Sequence, residues 1–227
     1  MDKSKGSKNQ EQVIYDRLFD VILEQKLQPG ARLIETPLSE VFGVSRTIIR
    51  KVLLRLSLEG VVEIKPNLGA SVVTTPPEEV PAFFEARRQI EGILSKMLTG
   101  NLTDYQEQTL RAIVKEENRL LKNGNLAKGL RKSTEFHFYI VEAAGNKPLA
   151  EFGKQMIART SLIVSQYNLP GSGGCACVDH TQLVDAMSAG DGDEVQRLMH
   201  LHIGHIEDQL QIREQESEPD LYELFKD

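Results

Sequence analysis

The sequence lacks the features that would place a protein in or across a membrane. None of its apolar stretches approaches the ~20 residues that span a bilayer, and its start, MDKSKGSKNQ, has no apolar signal-peptide core. Cysteine is scarce, with only Cys175 and Cys177. One residue separates them, so a disulfide would be strained, and a soft-metal site would lack the second pair that four-sulfur coordination needs. We therefore expect a cytoplasmic protein with no membrane partner.

Charge is unevenly distributed along the chain. The 227 residues are 40% hydrophobic and 26% charged, which is enough for two domains with cores of their own. The net charge of −6 argues against a protein that coats nucleic acid. Residues 1–75, however, contain 11 Lys and Arg against 9 Asp and Glu, whereas the remainder contains 16 against 24. An acidic second half would help to orient a basic first part on DNA.

Residues 38–69 have the pattern of a winged helix-turn-helix. A short helix reaches the turn Phe-Gly-Val at 42–44, and Ser45 is placed to N-cap a second helix that continues to Gly60. The helical spacing i, i+3, i+4, i+7 predicts one buried stripe, formed by Ile49, Val52, Leu53 and Leu56. The side chains predicted to point outward near the helix start are those of Arg46, Thr47, Arg50 and Lys51. A recognition helix meets the major groove with this part of its surface.

Positive charge accompanies the predicted recognition helix. Between Val44 and Leu58 the charged residues are all cations, namely Arg46, Arg50, Lys51 and Arg55. Such a run alone is more typical of an ordinary solvated helix face. The following segments around Pro-Asn-Leu-Gly at 66–69 predict a β-hairpin, the wing. The combination of turn, basic helix and wing favours DNA binding.

The rest of the chain shows only helix patterns. The Thr-Thr-Pro-Pro run at 74–77 ends the first domain, and the short breaks that follow predict neighbouring helices that run antiparallel. The sequence thus predicts a mostly α protein with an N-terminal winged helix-turn-helix, a small β-hairpin wing and a C-terminal all-α antiparallel helical bundle. The predicted domains are residues 1–75 for DNA binding, a linker at 76–79, and residues 80–227 for ligand binding and dimerisation.

Three histidines fall where core residues are expected in the bundle. His137 and His202 each lie on the apolar stripe of a helix, and His180 lies near the start of the helix between them. Buried imidazoles must be hydrogen-bonded or coordinated. Three neutral imidazoles that converge from three helices would form a site for a divalent metal with open positions. A hydrogen-bonded core histidine is the alternative for each residue alone.

The order of these motifs resembles the GntR superfamily of bacterial transcription regulators, in particular its FadR-like subfamily with the all-helical FCD domain. The resemblance covers about residues 10–212. The matching stretches are 27–33, 38–60, 66–69, 85–91, 136–137, 142–149 and 179–202. It implies a homodimer that binds a pseudo-palindromic double-stranded operator, with an affinity controlled by a small carboxylate effector in the FCD domain.

The resemblance also implies roles for individual residues. Arg46 and Arg50 would contact bases or nearby phosphates, and Gly69 would let the wing backbone approach the DNA. The whole predicted DNA-binding set is Arg32, Ser45, Arg46, Thr47, Arg50, Lys51, Asn67 and Gly69. Members of the family commonly hold a divalent metal, for which zinc, nickel or manganese is expected here, with one acid and three histidines. The histidines match His137, His180 and His202, and Arg87 matches an arginine that pairs with the anionic effector.

Two departures from the family pattern stand out. Ser133 stands where the metal-binding acid is expected, four residues before His137, and Ile48-Ile49 replace the usual Pro-Val. The first departure leaves open metal-independent effector binding in the same fold, or a scaffold that has lost its effector. A hydrolase whose three-histidine zinc activates water is a further alternative. The sequence contains no His-Glu-x-x-His arrangement that would support it.

Overall fold

The N-terminal domain combines three helices with a small sheet. The computed structural model describes residues 3–167 and 177–212, except for the side chains of residues 3–9 and 177–179. The elements of this domain are α1 (Lys3–Leu23), β1 (Arg32–Leu33), α2 (Glu35–Phe42), α3 (Arg46–Leu58), β2 (Val62–Lys65) and β3 (Gly69–Val72). The cysteine pair lies outside the described part, because Cys175 and the side chain of Cys177 are not described.

The helix-turn-helix consists of α2 and α3. Gly43 takes the left-handed conformation, with φ 63°, that ends α2 and redirects the chain. The predicted apolar stripe of α3 is confirmed, since Ile49, Val52, Leu53 and Leu56 are all buried. Ser45 is the N-cap residue, but the expected side-chain cap is wrong. Its backbone carbonyl accepts hydrogen bonds from Ile48 and Ile49 instead, and its hydroxyl lies exposed at the helix start.

The wing is the predicted β-hairpin with one additional strand. Strands β2 and β3 pair antiparallel from Val62 opposite Val72 to Lys65 opposite Gly69. The two-residue strand β1 pairs with the other edge of β3, so the strand order is β1-β3-β2. Arg32 lies opposite Ser71 in this pairing, which ties the segment before α2 to the wing.

The C-terminal domain is helical throughout its described part. After a single 3-10 turn, the helices are α4 (Val80–Thr99), α5 (Asp104–Lys122), α6 (Leu126–Ala143), α7 (Lys147–Tyr167), α8 (Cys177–Ala189) and α9 (Gly192–Asp208). Thr103 and Gln106 form a reciprocal capping box that starts α5. Helix α4 packs against α7 and α9, and α5 packs against α6 and α8, around a core that includes Phe84, Phe136 and Met199. The fold class predicted from the sequence is confirmed.

Helices α6 and α7 join the bundle to the N-terminal domain through apolar and charged contacts. Ala158 and Leu162 of α7 belong to the same buried cluster as Phe19 and Ile22 of α1. Arg131 of α6 reaches the same helix, where its Nη2 lies 2.6 Å from a carboxylate oxygen of Asp16. The two domains therefore share one apolar core at this junction.

Hydrogen bonds fix the same junction at the end of the recognition helix. Arg159 of α7 donates from Nη1 to the carbonyl oxygen of Gly60 at 2.8 Å. Tyr167, at the end of α7, donates its hydroxyl to the Thr75 carbonyl at 2.6 Å. Gln166 exchanges two hydrogen bonds with the backbone of Thr75. Helix α7 thus holds both the end of α3 and the exit of the wing.

Candidate DNA interface and metal centre

The predicted DNA-binding residues all lie on the exposed surface. Those of the recognition helix and its N-cap are Ser45, Arg46, Thr47, Arg50 and Lys51, and each of them is exposed. Lys51 forms no ion pair with the described residues. The start of α3 therefore offers cations and hydroxyl groups at the end of the helix where N–H groups and the helix dipole also favour phosphate.

Two of these arginines share one carboxylate. Arg50 donates from Nε to both carboxylate oxygens of Glu35, at 2.8 and 2.9 Å. Arg46 donates from Nε and Nη2 to Oε2 of the same residue, at 3.3 and 3.1 Å. Glu35 belongs to the first turn of α2, so the two helices of the helix-turn-helix are linked through the arginines that face outward.

Arg55 does not belong to this outward face, although the sequence places it in the same run of cations. Its guanidinium carbon lies 3.7 Å from the centre of the Tyr15 ring. It donates to Gln12 at 2.7 Å and to Glu59 at 3.3 Å. Arg55 therefore ties α3 to α1 and contributes to the domain's packing through a cation–π contact.

The wing presents its own predicted DNA-binding residues at its tip. Asn67 and Gly69 are exposed and take left-handed conformations, with φ 63° and 81°. Gly69 has no other group within 4 Å of the position that a side chain would occupy. Arg32 is exposed in the edge strand β1, on the side of β3 away from β2. The sheet thus carries Arg32 beside the hairpin and not on its tip.

The three predicted metal-binding histidines converge inside the bundle. His137 of α6, His180 of α8 and His202 of α9 are buried. Their Nε2 atoms lie 3.3 Å apart for His137 and His180, 2.9 Å for His180 and His202, and 3.2 Å for His137 and His202. Nitrogen ligands at ~2.0–2.1 Å from one metal would be about 3.3 Å apart in tetrahedral and about 3.0 Å apart in octahedral geometry. The three nitrogens therefore have the spacing of a coordinated set.

Two buried carboxylates orient the imidazoles from behind. Nδ1 of His137 lies 2.6 Å from Glu91, and Nδ1 of His180 lies 2.7 Å from Glu117. Burial lowers the pKa of His137 well below its ordinary value of 6.5, in spite of the neighbouring Glu91, so the ring is neutral at pH 7. A neutral ring that donates Nδ1–H to a carboxylate directs the lone pair of Nε2 toward the centre of the cluster. This arrangement fits histidine ligands of a divalent ion.

The second carboxylate oxygen of Glu117 supports the same interpretation. Glu117 is fully buried, and its Oε1 has no hydrogen-bond partner among the described residues. A buried carboxylate is costly unless a hydrogen bond or a positive charge compensates it. A divalent ion held by the three imidazoles would supply that positive charge. The donor set and the buried acids therefore both suit a metal.

Arg87, the predicted effector-binding residue, is already engaged within the fold. Its Nε donates to the carboxylate of Glu91, and its Nη1 donates to the hydroxyl of Thr160 at 3.0 Å. Burial raises the pKa of Glu91, but the Arg87 guanidinium and His137, with the hydrogen bonds from both, together outweigh burial and hold that pKa at about 2. Arg87 is therefore linked to His137 through Glu91, so it is part of the same charged network as the histidines.

Ser133 occupies the place that the family pattern gives to an acid. It is buried on α6, one helical turn before His137. A serine hydroxyl is a poor metal ligand at neutral pH, and it carries no charge to balance a cation. The buried acids of this centre are instead Glu91 and Glu117, which contact Nδ1 atoms and not the point where the Nε2 atoms converge.

Several residues of the two sites were not predicted from the sequence. Glu117 had a detectable signal in the sequence, since it is a carboxylate on an otherwise apolar helical stripe. Glu91 had a weaker one, since its stripe on α4 is mostly apolar but also contains Arg87. The roles of Thr160 and Glu35 had no signal in the sequence. Thr160 lies 73 residues from its partner Arg87, and Glu35 lies 11 and 15 residues from Arg46 and Arg50. Only the packing of different helices brings these groups together.

Comparison with known proteins agrees with this geometry. The profile of bacterial regulatory proteins of the gntR family matches residues 10–72, and the FCD domain profile matches residues 82–205. The chain belongs to the GntR family and carries an FCD domain. This family is one of bacterial regulatory proteins, so membership favours a regulator over the alternative of a metallohydrolase.

Individual relatives extend over different shares of the chain. The Uxu operon regulator of Haemophilus influenzae is 28% identical over 169 residues, which cover 66% of this chain. The transcriptional repressor RspR of Escherichia coli is 24% identical over 211 residues, covering 91% of this chain and 92% of that protein. The chain spans 61% and 62% of the length of two curated relatives, the second of which is the Uxu operon regulator.

The fold is also shared with solved structures. E. coli McbR/YncC has a TM-score of 0.72 at 20% identity, with 88% of this chain and 98% of that chain covered. At this identity the likeness concerns the fold. Among the described residues of this member of the GntR family, no helix combines the length and apolar character that crossing a bilayer requires.

Proposed function

We propose that this GntR regulator binds a pseudo-palindromic operator as a homodimer and that a small carboxylate effector in the FCD domain controls its operator affinity. The observation that carries the DNA part is the exposed pair of Arg46 and Arg50 at the start of α3. Ser45, Thr47 and Lys51 would contribute contacts to the same groove, while Arg32, Asn67 and Gly69 would do so from the wing. A regulator of operator DNA acts in the compartment of the chromosome, the cytoplasm.

The effector site we propose is the three-histidine centre with a divalent zinc, nickel or manganese ion. His137, His180 and His202 would hold the ion, and Glu91 and Glu117 would keep two of the rings in the ligating tautomer. Three protein ligands leave positions on the ion at which a carboxylate oxygen can bind. Arg87 would add positive charge to the effector site from the position it shares with Glu91 and Thr160.

Metal-independent effector binding is the second candidate, and Ser133 is the observation that favours it. Without an acid at this position the ion has three neutral ligands, which weakens its attraction to the site relative to the family pattern. The buried charges of Arg87 and Glu91 would then form the polar part of the effector site.

Helices α6 and α7 provide a physical connection between the proposed effector site and the N-terminal domain that carries the recognition helix. Helix α6 carries His137 and also Arg131, which pairs with α1. Helix α7 carries Thr160, which accepts from Arg87, and the adjacent Arg159, which holds the Gly60 carbonyl. An effector that binds one arrangement of these helices more tightly than another would shift the equilibrium between positions of the N-terminal domain. The size of that shift is set by the difference between the two affinities.

The homodimer that we propose can use the paired surface of α4 and α9. Ile93 and Met97 are exposed one turn apart on α4, and Leu201 is exposed on α9, which packs against α4. An exposed group of apolar side chains on one face is typical of an isologous interface. Sedimentation of wild-type protein as a dimer and of Ile93→Glu as a monomer would support this surface. Dimeric Ile93→Glu would place the interface elsewhere.

The DNA-binding proposal is tested with a duplex that wild-type protein selects from a random pool. Arg50→Ala should lose at least fivefold in affinity for this duplex, because a two-donor base contact is worth ~1–3 kcal/mol. Arg119→Ala is the matched control, since Arg119 is equally exposed in its side chain, at 60% against 61%, but lies on α5. Equal affinity and sequence preference in wild type and Arg50→Ala would contradict the proposed role.

The effector proposal is tested by thermal shift with small dicarboxylates and tricarboxylates added to zinc-loaded protein. Stabilisation of the wild type that disappears in His137→Ala would support metal-mediated binding. Stabilisation that persists in His137→Ala would favour the metal-independent alternative.

A further inference from the structure

Glu35 lies at the centre of the surface that carries the two DNA-reading arginines. Its side chain is 27% exposed, whereas those of Arg46 and Arg50 are 57% and 61% exposed. Both guanidinium groups converge on this one carboxylate from positions one turn apart on α3. The acid therefore lies behind the arginines and leaves their outer parts open.

The two arginines contact Glu35 through different sets of N–H donors. Arg50 uses only Nε, so among the described residues its Nη1 and Nη2 groups have no hydrogen-bond partner. Arg46 uses Nε and one N–H of Nη2, which leaves Nη1 and the second N–H of Nη2. A two-donor contact to O6 and N7 of guanine needs a pair of N–H donors on one edge. Arg50 presents such an edge on two nitrogens with no other partner among the described residues, whereas Arg46 shares the Nη2 of its edge with Glu35.

Electrostatics keeps this arrangement together in the free protein. Two guanidinium groups side by side repel each other, and the carboxylate between them compensates that repulsion. The hydrogen bond from Arg50, followed by that from Arg46, lowers the pKa of Glu35 below its ordinary value of 4.5, so Glu35 is ionised at neutral pH. Its place in the first turn of α2 also favours the negative charge.

We propose that Glu35 is a positioning residue, which holds the Nη1 and Nη2 edge of Arg50 in the orientation that reads a guanine. The proposal rests on the proposed role of Arg50 in base recognition. Holding a long side chain in its bound conformation before binding reduces the entropy lost on binding. The negative charge of Glu35 also discourages Arg50 from leaving the base for a phosphate. Glu35 should therefore increase discrimination between sequences more than total affinity.

The test measures the affinity of full-length protein for three kinds of duplex at fixed salt. The first is the duplex that wild type selects from a random pool. The second is a set of duplexes in each of which one guanine of the selected duplex is replaced, and the third is a duplex of scrambled sequence. Discrimination at each guanine is the affinity for the selected duplex divided by the affinity for the duplex in which that guanine is replaced. For Glu35→Gln we expect this ratio to fall about tenfold at one guanine in each half-site. Affinity for the scrambled duplex should stay equal or rise, because one negative charge near the phosphates is gone.

Two further variants separate charge from position. Glu40→Gln removes the same charge from an exposed position of the same helix, and Glu40 forms no ion pair with the described residues. It should match Glu35→Gln on the scrambled duplex but keep wild-type discrimination. Glu35→Asp keeps the charge with a shorter reach, so it should lose discrimination without gaining affinity for the scrambled duplex. Circular dichroism of each variant verifies that α2 and α3 are folded.

Arg50→Ala in the same assay distinguishes base reading by Arg50 from the positioning role of Glu35. If Arg50→Ala loses discrimination and folded Glu35→Gln keeps it, Glu35 has no positioning role while base reading by Arg50 stands. If Arg50→Ala itself discriminates as wild type does, the proposed function of Arg50 fails, and the role of Glu35 fails with it. Equal loss of discrimination in Glu40→Gln and Glu35→Gln would also overturn the proposal, since it would reduce the effect to net charge.

Discussion

Removal of Arg87 should destabilise the effector-free protein severely, because its charge compensates a buried acid. Arg87 is 3% exposed and Glu91 is fully buried, and the two form an ion pair inside the bundle. In Arg87→Ala, Glu91 keeps His137 as a neighbour but loses its guanidinium partner, and Thr160 loses a donor. Breaking a buried pair by removing one partner costs ~3–5 kcal/mol. For a protein of this size that corresponds to a decrease in Tm of roughly 6–20 °C.

The assay is urea unfolding followed by circular dichroism, in the presence of a chelator so that no metal contributes. Arg119→Ala is the matched control, because its exposed pair with Glu116 should be worth no more than ~1 kcal/mol. The double variant Arg87→Met with Glu91→Leu should be more stable than Arg87→Ala, since it leaves no unpaired buried charge. If Arg87→Ala unfolds within ~1 kcal/mol of wild type, the buried pair is not structural, and Arg87 would serve the effector alone.

Three further predictions follow from single residues. Ser133→Asp places a carboxylate one turn before His137, at the proposed metal site. It should tighten zinc binding at least tenfold relative to Ser133→Asn in a competition titration. Equal zinc affinities of the two variants would contradict the assignment of the metal site. Burial, followed by Glu59, raises the pKa of Tyr15 above its ordinary 10.0, so its stabilising contribution is present below pH 10 and is lost as pH rises further. Tyr15→Phe should therefore lose less stability between pH 9 and 11 than wild type does, and parallel curves would refute this. Gly43→Ala should lower the free energy of unfolding by ~1–2 kcal/mol through the left-handed conformation of this residue alone, and Gly43→Asn should lower it less. Urea unfolding measures both values, and an Ala variant as stable as wild type would show that the turn relaxes.

The larger elements could be predicted from the sequence because they depend on local patterns. The stripe from Ile49 to Leu56 follows the helical period, and the hairpin follows from two short strands around a Pro-Asn-Leu-Gly turn. Strand β1 could not be predicted, because two residues show no periodicity and its pairing with β3 depends on tertiary contact. Arg55 shows the same limit, since its attraction to the Tyr15 ring depends on the position of α1.

The convergence of the three histidines could be predicted from the sequence, but the groups that surround them could not. Helical spacing places His137 and His202 inward, and the structure buries both. The carboxylates behind the rings come from α4 and α5, and which helix faces which histidine is decided by the packing of the whole bundle. For the same reason, the sequence presents Arg87 as an effector ligand, and only the fold shows its pairing with Glu91.

The most direct test of the proposed metal-dependent control is the metal content of the purified, untagged protein. The protein is incubated with zinc, nickel or manganese, dialysed against metal-free buffer and analysed by plasma mass spectrometry. His137→Ala and His202→Ala remove ligands, while His205→Ala removes an exposed histidine of the same helix as His202. We predict about one ion per chain in wild type and His205→Ala, and none in the two ligand variants. Wild-type protein without bound metal, or equal metal in all four proteins, would contradict the account.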